Sequence, residues 1–213
     1  MHTPTKIPTH IYLVRHGQKR SNLGDPGLTA LGLQQAQITA LYFSKIHVDT
    51  VCSSPLLRTR ETASLISRET HCELEIDERL TERANWGDLA GQTFSEFEKM
   101  WDRATQNRDW HPPIGDSSRH AGMRMTHVVF HMAHQQKHHV VLVTSGGVIC
   151  DLVRNLFPST ELDALVPNFS IDTDKLAHEC SITELVVDHE TKQIQILRLV
   201  STKHLPEELK IKV

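Results

Sequence analysis

The feature that most constrains the fold of this chain is an apolar, strand-forming run that ends abruptly in an arginine, a histidine and a glycine. Residues 11–14 are Ile-Tyr-Leu-Val, and Arg15, His16 and Gly17 follow at once. β-branched and aromatic side chains favour a buried strand, and the polar residues with the glycine indicate a functional loop after it. Open α/β sheets bind their ligands just beyond the carboxyl ends of their strands, so this loop is a candidate site.

A second junction of the same kind lies late in the chain. Residues 140–144 form the strongest strand pattern, and their continuous apolar character predicts a central parallel strand covered on both faces. Ser145, Gly146 and Gly147 then turn into a helix. Because strands alternate with helical patterns along the chain, we expect an α/β three-layer sandwich with a mainly parallel sheet and helices on both faces.

The remaining elements follow from apolar periodicity and from capping residues. Thr29, Ser54, and Ser117 or Ser118 are natural N-caps for three of the helices. A pair of strands joined by a turn closes the chain. The expected helices cover about 30–44, 55–67, 94–108, 118–136 and 148–157, and the expected strands cover about 50–54, 74–77, 181–187 and 193–199.

Length and composition indicate one globular domain over residues 1–213. The chain has 213 residues, of which 38% are hydrophobic and 23% charged, as in soluble globular proteins. Its least regular part, about 80–114, is expected to be a lid inserted over the strand ends, where it selects the substrate. No internal repeat or low-complexity segment is present.

Net charge, cysteine usage and hydropathy limit the classes of binding partner and the cellular location expected for the chain. A formal net charge of -3 argues against nucleic-acid binding, and no stretch is long and apolar enough to span a membrane. Four widely spaced cysteines, with no secretory segment before them, predict reduced structural thiols and a cytoplasmic location. The oligomeric state is left open, with a homodimer possible.

Three further motifs give the chain a resemblance to a known family. The order is Arg15-His16-Gly17, then a segment ending at Asn22, then Leu28-Thr29-Ala30-Leu31-Gly32, then Ser53-Ser54-Pro55-Leu56-Leu57-Arg58. This pattern resembles the histidine phosphatase superfamily, the phosphoglycerate-mutase-like group whose signature is Arg-His-Gly. The resemblance extends from about Ile11 to about Leu185. It implies phosphoryl transfer from a small phosphorylated metabolite through a covalent phosphohistidine, with no cofactor and no metal.

The resemblance also assigns roles to individual residues. His16 is the nucleophile, Arg15 and Arg58 bind the phosphate oxygens, Glu82 protonates the leaving oxygen, and Asn22 adds a polar contact. The chemistry of these side chains agrees with the roles. Two guanidinium groups keep a neighbouring imidazole neutral, and they also neutralise the charge of the transferring phosphoryl group.

Ser145 is the one departure from the family pattern at the proposed site. Family members usually have a histidine immediately before the paired glycines, and a serine hydroxyl gives a weaker, uncharged hydrogen bond. Loss of such a donor typically lowers the rate by about two to three orders of magnitude. We therefore expect a slow phosphatase in which Ser145 and the amides of Gly146 and Gly147 complete the phosphate site.

Three alternatives to a slow phosphatase stay open. His120 or His178 supplies the missing charge from a neighbouring loop. The chain is a catalytically silent protein that binds a phosphorylated ligand, which Ser145 would explain. The chain is a sugar-phosphate mutase, which the short lid and the Gln18-Lys19 pair make less favourable, since mutases of the family usually carry an acidic and a small hydroxyl residue there.

Two side-chain patterns have both a functional and a structural interpretation. Four histidines recur at helical spacing and could chelate a transition metal, although a partly solvated helix face is the favoured interpretation. Four aromatic residues in the 80–114 segment could line a substrate pocket or simply pack the lid. The histidines are His127, His131, His134 and His138, and the aromatic residues are Trp86, Phe94, Phe97 and Trp101.

Overall fold

A six-stranded sheet forms the centre of the computed structural model, which describes residues 7–135, 137–171 and 176–210. The strands are β1 (Thr9–Arg15), β2 (Thr50–Ser53), β3 (Leu74–Ile76), β4 (His139–Thr144), β5 (Ile182–Val187) and β6 (Ile194–Ser201). Their order across the sheet is β3-β2-β4-β1-β5-β6. The first four in this order pair in parallel, and β5 pairs antiparallel with both of its neighbours. The sheet is therefore mixed, with a parallel half that carries the predicted junctions.

The helices cover both faces of this sheet. They are α1 (Ala30–Phe43), α2 (Leu57–Thr70), α3 (Phe94–Gln106), α4 (Ser118–His134), α5 (Gly146–Leu156) and α6 (Ser159–Leu165), with short 3-10 turns at Glu78–Leu80 and Glu207–Leu209. The short α6 was not predicted. Thr29 and Ser117 cap α1 and α4 as expected, while the expected end of α4 near Gln136 falls outside the described residues.

Alternation along the central strands divides the core into two layers. Ile11 and Leu13 of β1 pack with α4 and α5 on one face of the sheet. Tyr12 and Val14, which point the other way, pack with α1 and α2 on the opposite face. The predicted three-layer α/β sandwich is confirmed.

The start of α2 differs from the prediction in a way that matters for the site. Leu56, not Ser54, occupies the N-cap position, and its apolar side chain offers no hydrogen bond. The Ser54 hydroxyl pairs with Thr59 and does not cap the helix. The Asp25 carboxylate caps the helix instead, accepting from the backbone N–H of Leu57 at 2.8 and 3.0 Å. A loop distant in sequence thus satisfies the first turn of α2.

Gly17 and Gly147 are required for close packing rather than for a turn. A side chain at Gly17 would overlap the carbonyl oxygen of Gly32 in α1, so the Arg-His-Gly glycine lets α1 approach the loop. Gly146 and Gly147 lie inside α5 rather than in a turn before it, which corrects the expected start at Val148.

The four-histidine face does not form as predicted. α4 ends at His134, so His138 lies beyond the helix, and its backbone N–H donates to Asp49 instead. Within the described ranges, no group of three or more histidine, cysteine, aspartate or glutamate side chains is placed to hold a metal ion. A search of those ranges likewise finds no helix of the length and apolar character needed to cross a membrane.

Buried histidines predict that stability falls in mild acid. Burial, with Arg198 and Lys210 nearby, lowers the pKa of His204 to about 4, and burial also lowers the pKa of His16. The unfolded chain takes up these protons as the pH falls below about 6.5, whereas the folded chain does not. The free energy of unfolding should therefore decrease as the pH falls from about 6.5 towards 4, as measured by urea denaturation.

His204→Gln should make this decrease smaller. His127→Gln, which changes an exposed side chain of α4, serves as the control and should leave the pH dependence of the parent unchanged. An equal pH dependence in the parent and His204→Gln would contradict the prediction.

Candidate active site

The polar residues that follow neighbouring strands meet in one cavity at the carboxyl edge of the parallel half of the sheet. Arg15 lies opposite Thr144 in the β1–β4 register, so His16 and Ser145 leave the sheet side by side. Arg58 reaches them from the first turn of α2. The cavity has a volume of about 950 Å³, and the predicted site residues Arg15, His16, Asn22, Arg58, Glu82, Ser145 and Gly146 all line it.

His16 is held as a neutral imidazole with one defined tautomer. Its Nδ1 atom lies 2.7 Å from the carbonyl oxygen of Gly17. Because a carbonyl oxygen only accepts, Nδ1 carries the proton, and the Nε2 lone pair accepts from Arg58 Nε at 3.1 Å. Burial, then Arg58 and Arg15, hold the pKa of His16 well below its usual range. The unprotonated nitrogen is therefore the one that faces the arginine.

Arg58 is buried at the centre of the site. Its guanidinium donates to His16, to Asn85 Oδ1 at 2.7 Å and, at 3.4 Å, to the hydroxyl of Ser145, and it lies 3.6 Å from Asp25. Burial lowers its pKa, and the carboxylates of Glu82 and Asp25 oppose this shift. One side chain thus links the loop after β1, the start of α5 and the 80–114 segment.

Arg15 is only partly engaged by its neighbours. Its Nη2 donates to Glu179 Oε1 at 2.8 Å, and its Nη1 donates to the carbonyl oxygen of Ala177. Its Nε is buried beside Gly146 and has no acceptor among the described residues. This buried nitrogen keeps one hydrogen-bond donor unused.

Glu82 lies at the N-terminus of α5. One carboxylate oxygen accepts from the backbone N–H of Gly147 at 3.1 Å, and the other accepts from the N–H of Arg83 at 2.9 Å. The Gly147 amide, expected as a phosphate ligand, is therefore occupied by Glu82. The carboxyl group lines the same cavity as His16.

Ser145 occupies the position where the resemblance leads one to expect a histidine. Its side chain is buried and makes no capping bond to α5, and among the described residues its hydroxyl receives only the long contact from Arg58. The two histidines considered as substitutes do not line the cavity: His120 pairs with Asp116 at 2.9 Å, and His178 lies in the loop before β5. Neither is placed to supply the missing charge.

Several residues of the site escaped prediction because they come from segments distant in sequence. Asp25, Asn85 and Glu179 contact the arginines from three separate loops, and no spacing links them to Arg-His-Gly. Lys19, in contrast, follows the motif by only two positions and lines the cavity. Its charge and its place in the loop after β1 were the available signal.

The 80–114 segment forms a wall of the cavity that contains His16. Its four aromatic rings follow one another at centroid separations of 5.2, 6.5 and 5.9 Å, and all line the cavity. A buried contact anchors the wall: the guanidinium of Arg83 lies 3.7 Å from the centroid of Trp101 and donates to Asp151 of α5 at 3.0 Å. The rings are, in order, Trp86, Phe94, Phe97 and Trp101.

Fold and site together define an α/β protein with a buried histidine beside two arginines at the carboxyl edge of its sheet. A sequence profile of the histidine phosphatase superfamily (branch 1) matches residues 11–199, and the chain belongs to that superfamily. Probable phosphoglycerate mutase GpmB of Escherichia fergusonii is 35% identical over 127 residues, 54% of this chain and 59% of that protein. GpmB of Escherichia coli K12 is 35% identical over 119 residues, 50% and 55% of the two chains. The chain spans little more than half the length of these relatives.

Solved structures share the fold over almost the whole chain. Mycobacterial glucosyl-3-phosphoglycerate phosphatase superposes with a TM-score of 0.71 at 24% identity, covering 92% of this chain and all of that one. Phosphoserine phosphatase from Entamoeba histolytica, in complex with 3-phosphoglyceric acid, gives 0.68 at 23% identity, covering 93% of this chain and all of that one. Proteins similar to this chain thus include phosphatases and probable phosphoglycerate mutases. Because the solved structures are less than 25% identical in sequence to this chain, they establish its fold alone.

The packing of Trp101 against α5 predicts the effect of a single methyl group. A Cβ at position 147 would lie 2.5 Å from Trp101 Cζ2 and 2.9 Å from Glu82 Oε1. Gly147→Ala should therefore displace the indole and lower the free energy of unfolding by about 1–3 kcal/mol, as measured by urea denaturation.

A second substitution tests whether the clash is the cause. Trp101→Phe removes the ring atoms that the new methyl group would meet, so it should restore part of the stability in the Gly147→Ala background. If the two losses of stability simply add, the contact between residues 101 and 147 is not responsible.

Proposed function

We propose that the chain is a phosphomonoester hydrolase that acts through a phosphohistidine at His16. The observation that carries the proposal is the state of this imidazole: Nδ1 donates to Gly17, so the lone pair of Nε2 is directed at Arg58 in the cavity. A neutral nitrogen beside two guanidinium groups is suited to attack phosphorus.

The proposed reaction has two steps. In the first, Nε2 forms a bond to phosphorus, the ester P–O bond breaks, and the carboxyl group of Glu82 gives its proton to the leaving oxygen. In the second, a water molecule attacks the phosphohistidine and gives a proton to the Glu82 carboxylate. The N–P bond breaks, which releases inorganic phosphate and regenerates neutral His16.

The cations of the site would bind the phosphoryl oxygens. The unpartnered Nε of Arg15 and the guanidinium of Arg58 are the charged donors, while Asn22, Ser145 and the Gly146 amide add neutral ones. Charge that develops in the transition state is stabilised most by fixed, preorganised donors. With a hydroxyl at position 145 in place of an imidazolium, turnover would be slow.

Activity on p-nitrophenyl phosphate tests the proposal. His16→Ala should abolish hydrolysis, and Ser145→His should raise kcat by about two to three orders of magnitude because it restores a charged donor. His120→Ala, which changes a histidine outside the cavity, is the matched control and should act like the parent.

One outcome favours the second candidate function, a silent protein that binds a phosphorylated ligand. Ser145 is the observation that supports this candidate. If the parent is no faster than His16→Ala and only Ser145→His gains activity, the scaffold is intact and silent. If Ser145→His is inactive as well, the assignment of His16 is wrong.

The aromatic wall is proposed to bind the leaving group of a small phosphorylated metabolite. Phe94 and Phe97 line the same cavity of about 950 Å³ as His16, and Phe94 is partly exposed to solvent. Phe97→Ala should raise KM for 1-naphthyl phosphate by about tenfold while changing KM for glycerol 2-phosphate little. Phe130→Ala, a phenylalanine of α4 outside the cavity, is the control; equal changes for both substrates would contradict this role.

A further inference from the structure

We propose that Lys19 is a phosphate-binding residue whose ammonium group supplies the positive charge that Ser145 lacks. The inference rests on the proposed function, because it takes the cavity around His16 as a phosphate site. Its observations are the place of Lys19 in the cavity wall and the pairing of the other cations there.

The backbone that carries Lys19 is fixed by α1 and α2. The N–H of Gly17 donates to Thr62 at 3.1 Å, and the N–H of Gln18 donates to the side chain of Gln35 at 2.9 Å. Lys19 itself bridges Leu28 across the loop. These bonds hold the start of the lysine side chain on the cavity wall that also contains His16 and Arg58.

Carboxylates already partner both arginines of the site. Arg15 pairs with Glu179 at 2.8 Å, and Arg58 lies 3.6 Å from Asp25. Lys19 has no carboxylate within ion-pair distance among the residues described. The other lysine that lines the cavity, Lys99 of α3, interacts with the carboxylate of Glu96. Lys19 is thus a cation of the cavity whose charge no neighbouring carboxylate of the described residues partly neutralises.

Lys19, Arg15 and Arg58 line the same cavity and are close enough to repel one another. Burial, followed by the repulsion of Arg58 and Arg15, lowers the pKa of the Lys19 ammonium, and Lys19 in turn contributes to the lowered pKa of His16. Like charges so placed destabilise one another until an anion enters between them. A phosphate group is the anion whose several oxygens can meet all three.

Calorimetric titration with inorganic phosphate tests the assignment without requiring turnover. Lys19→Met should weaken phosphate binding about tenfold or more, and Lys19→Arg should stay within a few-fold of the parent. Arg20→Met removes an equal charge from the next position, which does not line the cavity, and should bind phosphate like the parent. The loss in Lys19→Met should be smaller in a Ser145→His background, where an imidazole shares the role.

The outcomes separate this inference from the proposed hydrolysis. If the parent turns over no substrate but Lys19→Met still loses phosphate affinity, hydrolysis is wrong and the binding role of Lys19 stands. If Lys19→Met binds phosphate like the parent, or if Arg20→Met loses as much, Lys19 has no specific role. Failure of the parent to bind millimolar phosphate also overturns the inference.

Discussion

The pairing of β1 with β4 is the constraint on which the site depends. Arg15 lies opposite Thr144, and the N–H of His16 donates to the carbonyl oxygen of Thr144 at 3.0 Å. This last hydrogen bond between β1 and β4 fixes where the two strands end. A slip of one residue would turn every side chain of β1 to the opposite face. The separation between His16 and Ser145 is therefore set by buried main-chain hydrogen bonds, not by the side chains that would do the chemistry.

At this edge of the sheet, carboxylates lie beside the arginines and offset much of their positive charge. Glu179 and Asp25 each lie beside an arginine, and Glu82 accepts from the first turn of α5. Such pairing stabilises a group of buried cations that would otherwise repel one another, at the cost of weakening what each offers to a ligand. Ser145 adds no positive charge where the family pattern has a histidine. A cation of the cavity without a carboxylate partner therefore matters more for binding an anion.

Patterns local in sequence predicted most of the fold and part of the site. Continuous apolar runs located β1 and β4, and capping residues located α1 and α4, because these signals depend on neighbours only. The seven-residue α6 has too few turns to show a periodic stripe, and the N-cap of α2 was misassigned because its partner, Asp25, comes from a remote loop. Asn85 and Glu179 were missed for the same reason. The motifs located His16 and Arg58 in the cavity, but the residues that orient the arginines depend on the tertiary fold.

The protonation state of His16 separates catalysis from simple binding on physical grounds. A pocket that only binds a phosphorylated ligand gains from an imidazolium, since a charged donor binds phosphate more strongly than a neutral ring. Here burial and two guanidinium groups act in the opposite direction and keep the ring neutral. The Gly17 carbonyl then places the proton on Nδ1, so that Nε2 presents a lone pair, which accepts from Arg58, instead of a donor. This arrangement weakens binding and favours nucleophilic attack, which supports the hydrolase over the silent binding protein even with a serine at position 145.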